Sequence, residues 1–92
     1  MTTTHNHRSL HAGDIITPLS APWRCHILAA RLDYASTDDC FPGWRVLYVR
    51  EHPYHPFVVH TAVDTPEGWM LVWGHYFATH DEAVAHYEGV VG

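Results

Sequence analysis

Trp44-Arg45-Val46-Leu47-Tyr48-Val49-Arg50 decides the fold. Successive side chains of an extended chain point to opposite faces, so Trp44, Val46 and Tyr48 share one side and Arg45, Leu47 and Val49 the other. Pro53 and Pro56 each lack the N–H that a central ladder requires, so the strand stops within Glu51 to Pro56. Phe57 to Val63 resumes as a strand, with β-branched residues at 58, 59, 61 and 63. Asp64-Thr65-Pro66-Glu67-Gly68 makes a tight connection, and Trp69 to Trp73 returns antiparallel. Strict alternation puts Trp69, Leu71 and Trp73 on one face and Met70 and Val72 on the other. Gly74 weakens or bends this strand before Tyr76.

Downstream lies a well-marked helix start. Thr79 caps the free N–H groups and Glu82, three residues on, completes a capping box. Asp81 and Glu82 also suit the positive end of the helix dipole. Ala83, Tyr87 and Val90 or Val91 form the apolar stripe, Val84 lies beside it, and Gly89 is a suitable terminator. A helix this short is marginal alone and must pack on the sheet.

Upstream, Arg24 to Tyr34 is a strand candidate whose even positions (His26, Leu28, Ala30, Leu32, Tyr34) form the more apolar set. Ala29-Ala30-Arg31-Leu32 equally suits a helical turn. Gly13-Asp14 precedes a short strand at 14 to 17, which ends by Pro18, and Ser36 to Gly43 is a loop by composition. Residues 1–9 read as a disordered tail and 10–92 as one domain. The expectation is an α+β fold: a small curled antiparallel sheet of roughly three to five strands packed by one C-terminal helix. One helix covers one side of a sheet that is apolar on both. The other side must be covered by the N-terminal segment, by curling into a partial barrel, or by a second copy in a homodimer.

Composition narrows the function classes. At 47% apolar and 16% charged, the 92-residue chain is too hydrophobic for a disordered one. The net charge of -5 and the complete absence of lysine argue against nucleic-acid binding, which needs clustered cations. The charge is also unevenly divided. Arg8, Arg24, Arg31, Arg45 and Arg50 all precede residue 51, whereas Glu51, Asp64, Glu67, Asp81, Glu82 and Glu88 follow it. The C-terminal half therefore reads as a field of one sign, interrupted by histidines. At reference pKa values the ten histidines would carry the formal charge from -5 to about +5 as pH falls through roughly 6.5. No apolar run is long enough to span a membrane and no signal-like stretch opens the chain, which points to a cytoplasmic protein with no membrane partner. Cys25 and Cys40 are too few for a disulfide scaffold.

Gly68-Trp69-Met70-Leu71-Val72-Trp73-Gly74-His75-Tyr76-Phe77, followed by Thr79-His80-Asp81-Glu82-Ala83, resembles the ends of small uncharacterised actinobacterial and mycobacteriophage proteins. Exclusive use of arginine fits the same GC-rich origin. The resemblance lies in the C-terminal quarter, carries no catalytic motif, and implies an origin without implying site residues.

The candidate chemistry is sparse. His52 and His55, three positions apart, would form a Cys2His2 zinc set with Cys25 and Cys40, although the cysteines lack the spacing of a short knuckle. Cys25 and His26 are adjacent strand positions facing opposite ways and cannot act as a dyad. No phosphate cradle follows a strand. Catalysis and a cofactor are therefore not expected. The favoured expectation is a non-catalytic protein-binding module, such as a phage-encoded modulator or inhibitor of a host protein. Asp81, Glu82 and Glu88 would meet a basic surface, and Trp69, Trp73, Tyr76 and Tyr54 would supply aromatic anchors. The alternatives are the structural zinc protein and a self-associating accessory protein.

Overall fold

The computed structural model describes residues 8–89. Among them a five-stranded antiparallel sheet runs in sequence order: β1 (Ile15–Ile16), β2 (Cys25–Tyr34), β3 (Gly43–Val49), β4 (Phe57–Thr65) and β5 (Gly68–Phe77). Helix α1 (His80–Tyr87) follows. The chain is a curled half-barrel with one short helix, the α+β arrangement expected. The 29–32 stretch is extended, because each of its residues finds a ladder partner on β3.

The two faces have separate cores. Cys25, Ile27, Val46, Tyr48, Val58, Ala62, Trp69 and Leu71 pack on the inner face, where Leu10 and Ile16 of the N-terminal segment join them. Leu47 and Val59 pack on the outer face against Ala83 of α1, flanked by Phe57, Phe77, Val84 and Tyr87. Two of the three anticipated coverings therefore operate together, curling and the N-terminal segment. The Leu19 N–H donates to the Trp69 carbonyl at 2.8 Å, and the Leu71 N–H donates to Ser20 Oγ at 3.0 Å. The link between β1 and β2 thus reaches the free edge of β5 and closes the curl. The apolar ground for self-association, an uncovered second face, is met within one chain.

The one-sign half disappears in three dimensions. Arg8 donates from Nε and Nη2 to Asp64 Oδ1 at 2.8 and 2.6 Å, its backbone N–H donates to Oδ2 at 2.7 Å, and its guanidinium lies over Trp69. Arg31 donates to the Tyr87 carbonyl, and Arg45 to those of His86 and Tyr87, at the negative end of the helix dipole. Arg50 lies over the rings of Trp23 and Tyr76. Four of the five arginines thus dock on the half that lacks them in sequence. Arg8 and Ser9, expected in a disordered tail, are placed, and Arg8 is anchored; residues 1–7 of that expectation lie outside the described residues.

The helix is built as its sequence indicates. Thr79 Oγ1 accepts from the Glu82 N–H at 3.3 Å and donates to Glu82 Oε1 at 2.8 Å. Ala83 is fully buried and Tyr87 half-buried, whereas Val90 and Val91 of the expected stripe lie outside the described residues.

Candidate functional site

The sheet departs from regularity where β4 meets the second half of β5. Val59 pairs with His75, but Thr61 pairs with Val72, so His60 faces two residues, Trp73 and Gly74. This is a β-bulge, in which one extra residue on β5 reverses the alternation beyond it. Trp73 takes φ 53, a left-handed backbone that a bulky L-residue adopts only under strain. Its side chain is thereby turned out of the core, leaving it 70% exposed. The next residue must be glycine, because a Cβ at Gly74 would sit 2.2 Å from His60 Nε2. The bulge therefore makes room for an imidazole inside the sheet.

His60 is buried against aromatic neighbours. Its ring stacks on Tyr48 at 5.7 Å with 6° between planes and meets Tyr76 edge-on at 5.6 Å. Nδ1 lies 3.0 Å from the Tyr48 hydroxyl and Nε2 lies 3.4 Å from the Tyr76 hydroxyl. Trp23 Nε1 donates to Tyr48 Oη at 3.4 Å, and the Tyr48 hydroxyl also faces His60 Nδ1 and the Cys25 thiol. Burial, then the charge of Arg50 and the neighbouring His75, lowers the His60 pKa to about 4. His60 is neutral at pH 7. Burial likewise raises the Tyr48 phenol above its ordinary range and pushes the Cys25 thiol up to about 11.

This group borders a cleft of about 140 Å³ lined by Ser20, Ala21, Trp23, His60, Leu71 and Tyr76. Arg50 stands behind two of its walls, 4.6 Å above the Trp23 ring and 4.9 Å above that of Tyr76. Its Nε donates to the His55 carbonyl at 3.2 Å, which fixes the guanidinium in place. Chemically the cleft offers neutral hydrogen-bonding groups under a positive field.

The anticipated site residues fall into separate places. Trp69 is 7% exposed and belongs to the inner core, so its ring has little surface left for a partner. Trp73 and Tyr54 are open to solvent, whereas Tyr76 is partly exposed and engaged with His60 and Arg50. Asp81, Glu82 and Glu88 are exposed on α1, which packs against the outer face, while Tyr76 belongs to the inner side with His60. Trp69 and Tyr76 therefore do not share a face with the acids. The proposed zinc ligands also separate: Cys25 is buried in the inner core, and Cys40 is exposed with its Sγ 3.3 Å from Thr37 Oγ1. His52 Nδ1 accepts from the Tyr54 and His55 backbone N–H groups, which builds the 52–55 turn. Among the described residues, no group of three or more His, Cys, Asp or Glu side chains is arranged to hold a metal. No helix among them is long and apolar enough to cross a membrane.

No protein-family model matches the chain, and comparison with curated proteins and with solved structures yields no match. Sequence reasoning missed His60, Tyr48, Trp23 and Arg50 as a group. One signal was present. His60 is the single ionisable residue within Val58-Val59-His60-Thr61-Ala62-Val63, and such a position in a buried strand demands polar partners. Those partners lie on other strands, so only the register reveals them.

Proposed function

We propose that the protein is a non-catalytic binding module that occupies a surface of another protein, with Trp73 as its anchor. The observation carrying this reading is the conformation of Trp73, a large aromatic held at positive φ and presented to solvent. A left-handed backbone at such a residue costs about 1–2 kcal/mol, and the exposed ring returns little of this by burial. Strain of this kind concentrates at functional positions, and tryptophan is enriched among residues that dominate binding energy. The bulge also interrupts an edge strand, which discourages sheet-to-sheet pairing and favours recognition through a side chain.

The acids of α1 supply the second contact. His75, two residues beyond Trp73, touches His86 of α1 with ring centroids 4.1 Å apart, which ties the bulged strand to the helix. Asp81 and Glu82 at the helix start and Glu88 at its end suit a basic partner with an apolar slot for the indole. Modulation or inhibition of a host protein by simple occupation fits a domain this small. Cys25 gives no support to covalent chemistry, because it is buried and held protonated.

Affinity isolation with the wild-type chain, Trp73→Ala and the triple variant D81N/E82Q/E88Q tests the reading. The expected result is a stoichiometric partner that Trp73→Ala releases, with a weaker, salt-dependent loss in the triple variant. A partner bound equally by Trp73→Ala refutes the role of Trp73.

A further inference from the structure

We propose that the cleft between Ser20-Ala21 and Tyr76 is a binding site for a small carboxylate. None of its lining residues carries a charge at pH 7: Ser20, Ala21, Trp23, Leu71 and Tyr76 are neutral by type, and His60 is neutral by environment. The guanidinium of Arg50 lies over the Trp23 and Tyr76 rings and close enough to oppose protonation of His60, whereas Arg24 and Glu51 line the adjoining pocket on the other side of Trp23. A cation would meet the field of Arg50 unfavourably, whereas an anion gains from it at a site partly shielded from water.

The donors match the sign of the field. His60 Nε2 lies 3.4 Å from the Tyr76 hydroxyl, a contact at the long end of hydrogen bonding that leaves the phenol able to turn its proton into the cleft. Ser20 Oγ accepts from the Leu71 N–H at 3.0 Å but lies 3.4 Å from the Leu71 carbonyl, so its proton is weakly engaged and can turn to a ligand. Two hydroxyl donors under one fixed cation suit the two oxygens of a carboxylate. Leu71, Ala21 and the Trp23 ring provide an apolar wall for a short carbon chain.

Size restricts the ligand further. At about 30 Å³ per molecule in liquid water, a cleft of about 140 Å³ corresponds to four or five waters. It lies well below the roughly 300 Å³ at which sites for drug-sized compounds begin. A free short-chain acid and the terminal carboxylate of a peptide share the required chemistry. The strained bulge at Trp73-Gly74 is the structural device that admits His60 to this position. This inference does not depend on the anchoring role of Trp73, since it concerns the inner wall of the bulge.

The test is nuclear magnetic resonance titration of the full chain at pH 7 and constant ionic strength, with sodium acetate, N-acetylglycine, sodium chloride and tetramethylammonium chloride. Acetate should shift the His60 imidazole and the Ser20 and Leu71 amides saturably, while chloride and tetramethylammonium should not. Arg50→Gln should weaken acetate by about tenfold. Ala21→Leu fills the cleft without altering charge and should abolish the saturable shift. Equal response to N-acetylglycine assigns the site to peptide carboxylates, and response to acetate alone assigns it to free acids. An acetate effect no larger than that of chloride overturns the proposal, as does a saturable shift that survives in folded Ala21→Leu.

Discussion

Two ends of the same inner core bury an ionisable group in opposite ways. At one end Asp64, with no solvent exposure, remains beside a cation: Arg8 brings two side-chain donors and its backbone N–H to the carboxylate. At the other end His60 is kept neutral by burial, with Arg50 and His75 placed to repel a proton, and two phenols lie against its ring nitrogens. The first arrangement is a clamp that fastens the N-terminal segment across the sheet. The second leaves an uncharged, polar, partly accessible wall. A closed ion pair suits stability, and a neutral group beside a cleft suits recognition.

At pH 7 the clamp should be the more expensive to break. Arg8→Ala removes the guanidinium that faces a fully buried carboxylate; because the Arg8 side chain is itself 41% exposed, the loss falls below that of a fully buried pair, at about 2–3 kcal/mol. Urea denaturation at pH 7 measures this. Arg8→Lys should recover less than half of the loss, because an ammonium does not reproduce the Nε and Nη2 fork on Oδ1. A loss below about 1 kcal/mol in Arg8→Ala would mean that the segment is held by Leu10 and Ile16 packing instead.

The His60 end should respond to pH. In the unfolded chain this imidazole protonates near 6.5, whereas in the fold it does so near 4. Between those values the unfolded state binds more protons, so stability falls as pH drops through that window and levels off below it. At 1.36 kcal/mol per pKa unit, the His60 contribution to this loss is about 3 kcal/mol. His60→Gln should remove that part of the slope. Because His60 and His86 are both depressed, the charge swing expected of ten ordinary histidines is also spread to lower pH. Parallel stability–pH curves for wild type and His60→Gln would show that the ring is not held neutral.

Gly74→Ala tests the geometry that separates the two ends. Its Cβ would meet His60 Nε2, and the crowding should cost about 2 kcal/mol. In a His60→Ala background the same change should cost less than about 0.5 kcal/mol, since the obstructing ring is gone. Additive effects in this double-mutant cycle would place the strain elsewhere in the bulge.

The same contrast explains which features were legible in the sequence. The strands at 44–50 and 57–63, the capped helix and the curl follow from alternation, proline placement and Thr79 with Glu82, all of which act within a few residues. Even Gly74 signalled a weakened strand. What failed was parity. Trp69, Leu71 and Trp73 belong on one face only while the period stays at two, and one left-handed residue turns Trp73 outward. A second register shift, between Ile27 and Ala29, does the same on β2: Cys25 and Ile27 are buried, while Leu28 of the expected apolar set is exposed. The arginine contacts were hidden for a different reason. Arg8 and Asp64 are 56 positions apart, and Arg31 and Tyr87 equally so, and neither separation leaves a local pattern.

Trp73 offers the smallest expected change in stability and the sharpest test of why the bulge persists. Asparagine tolerates the left-handed region better than tryptophan, and the indole gives up little buried surface when removed. Trp73→Asn should therefore leave stability unchanged or raise it by up to about 0.5 kcal/mol in urea denaturation. A residue chosen for folding would behave in the opposite way, losing about 1.5 kcal/mol or more on truncation of a buried side chain. If Trp73→Asn is neutral or stabilising and also releases the bound partner, the strain at φ 53 serves recognition. If it destabilises by more than about 1.5 kcal/mol, the indole packs in solution, and the contrast between a structural clamp and a recognition end fails at its most exposed residue.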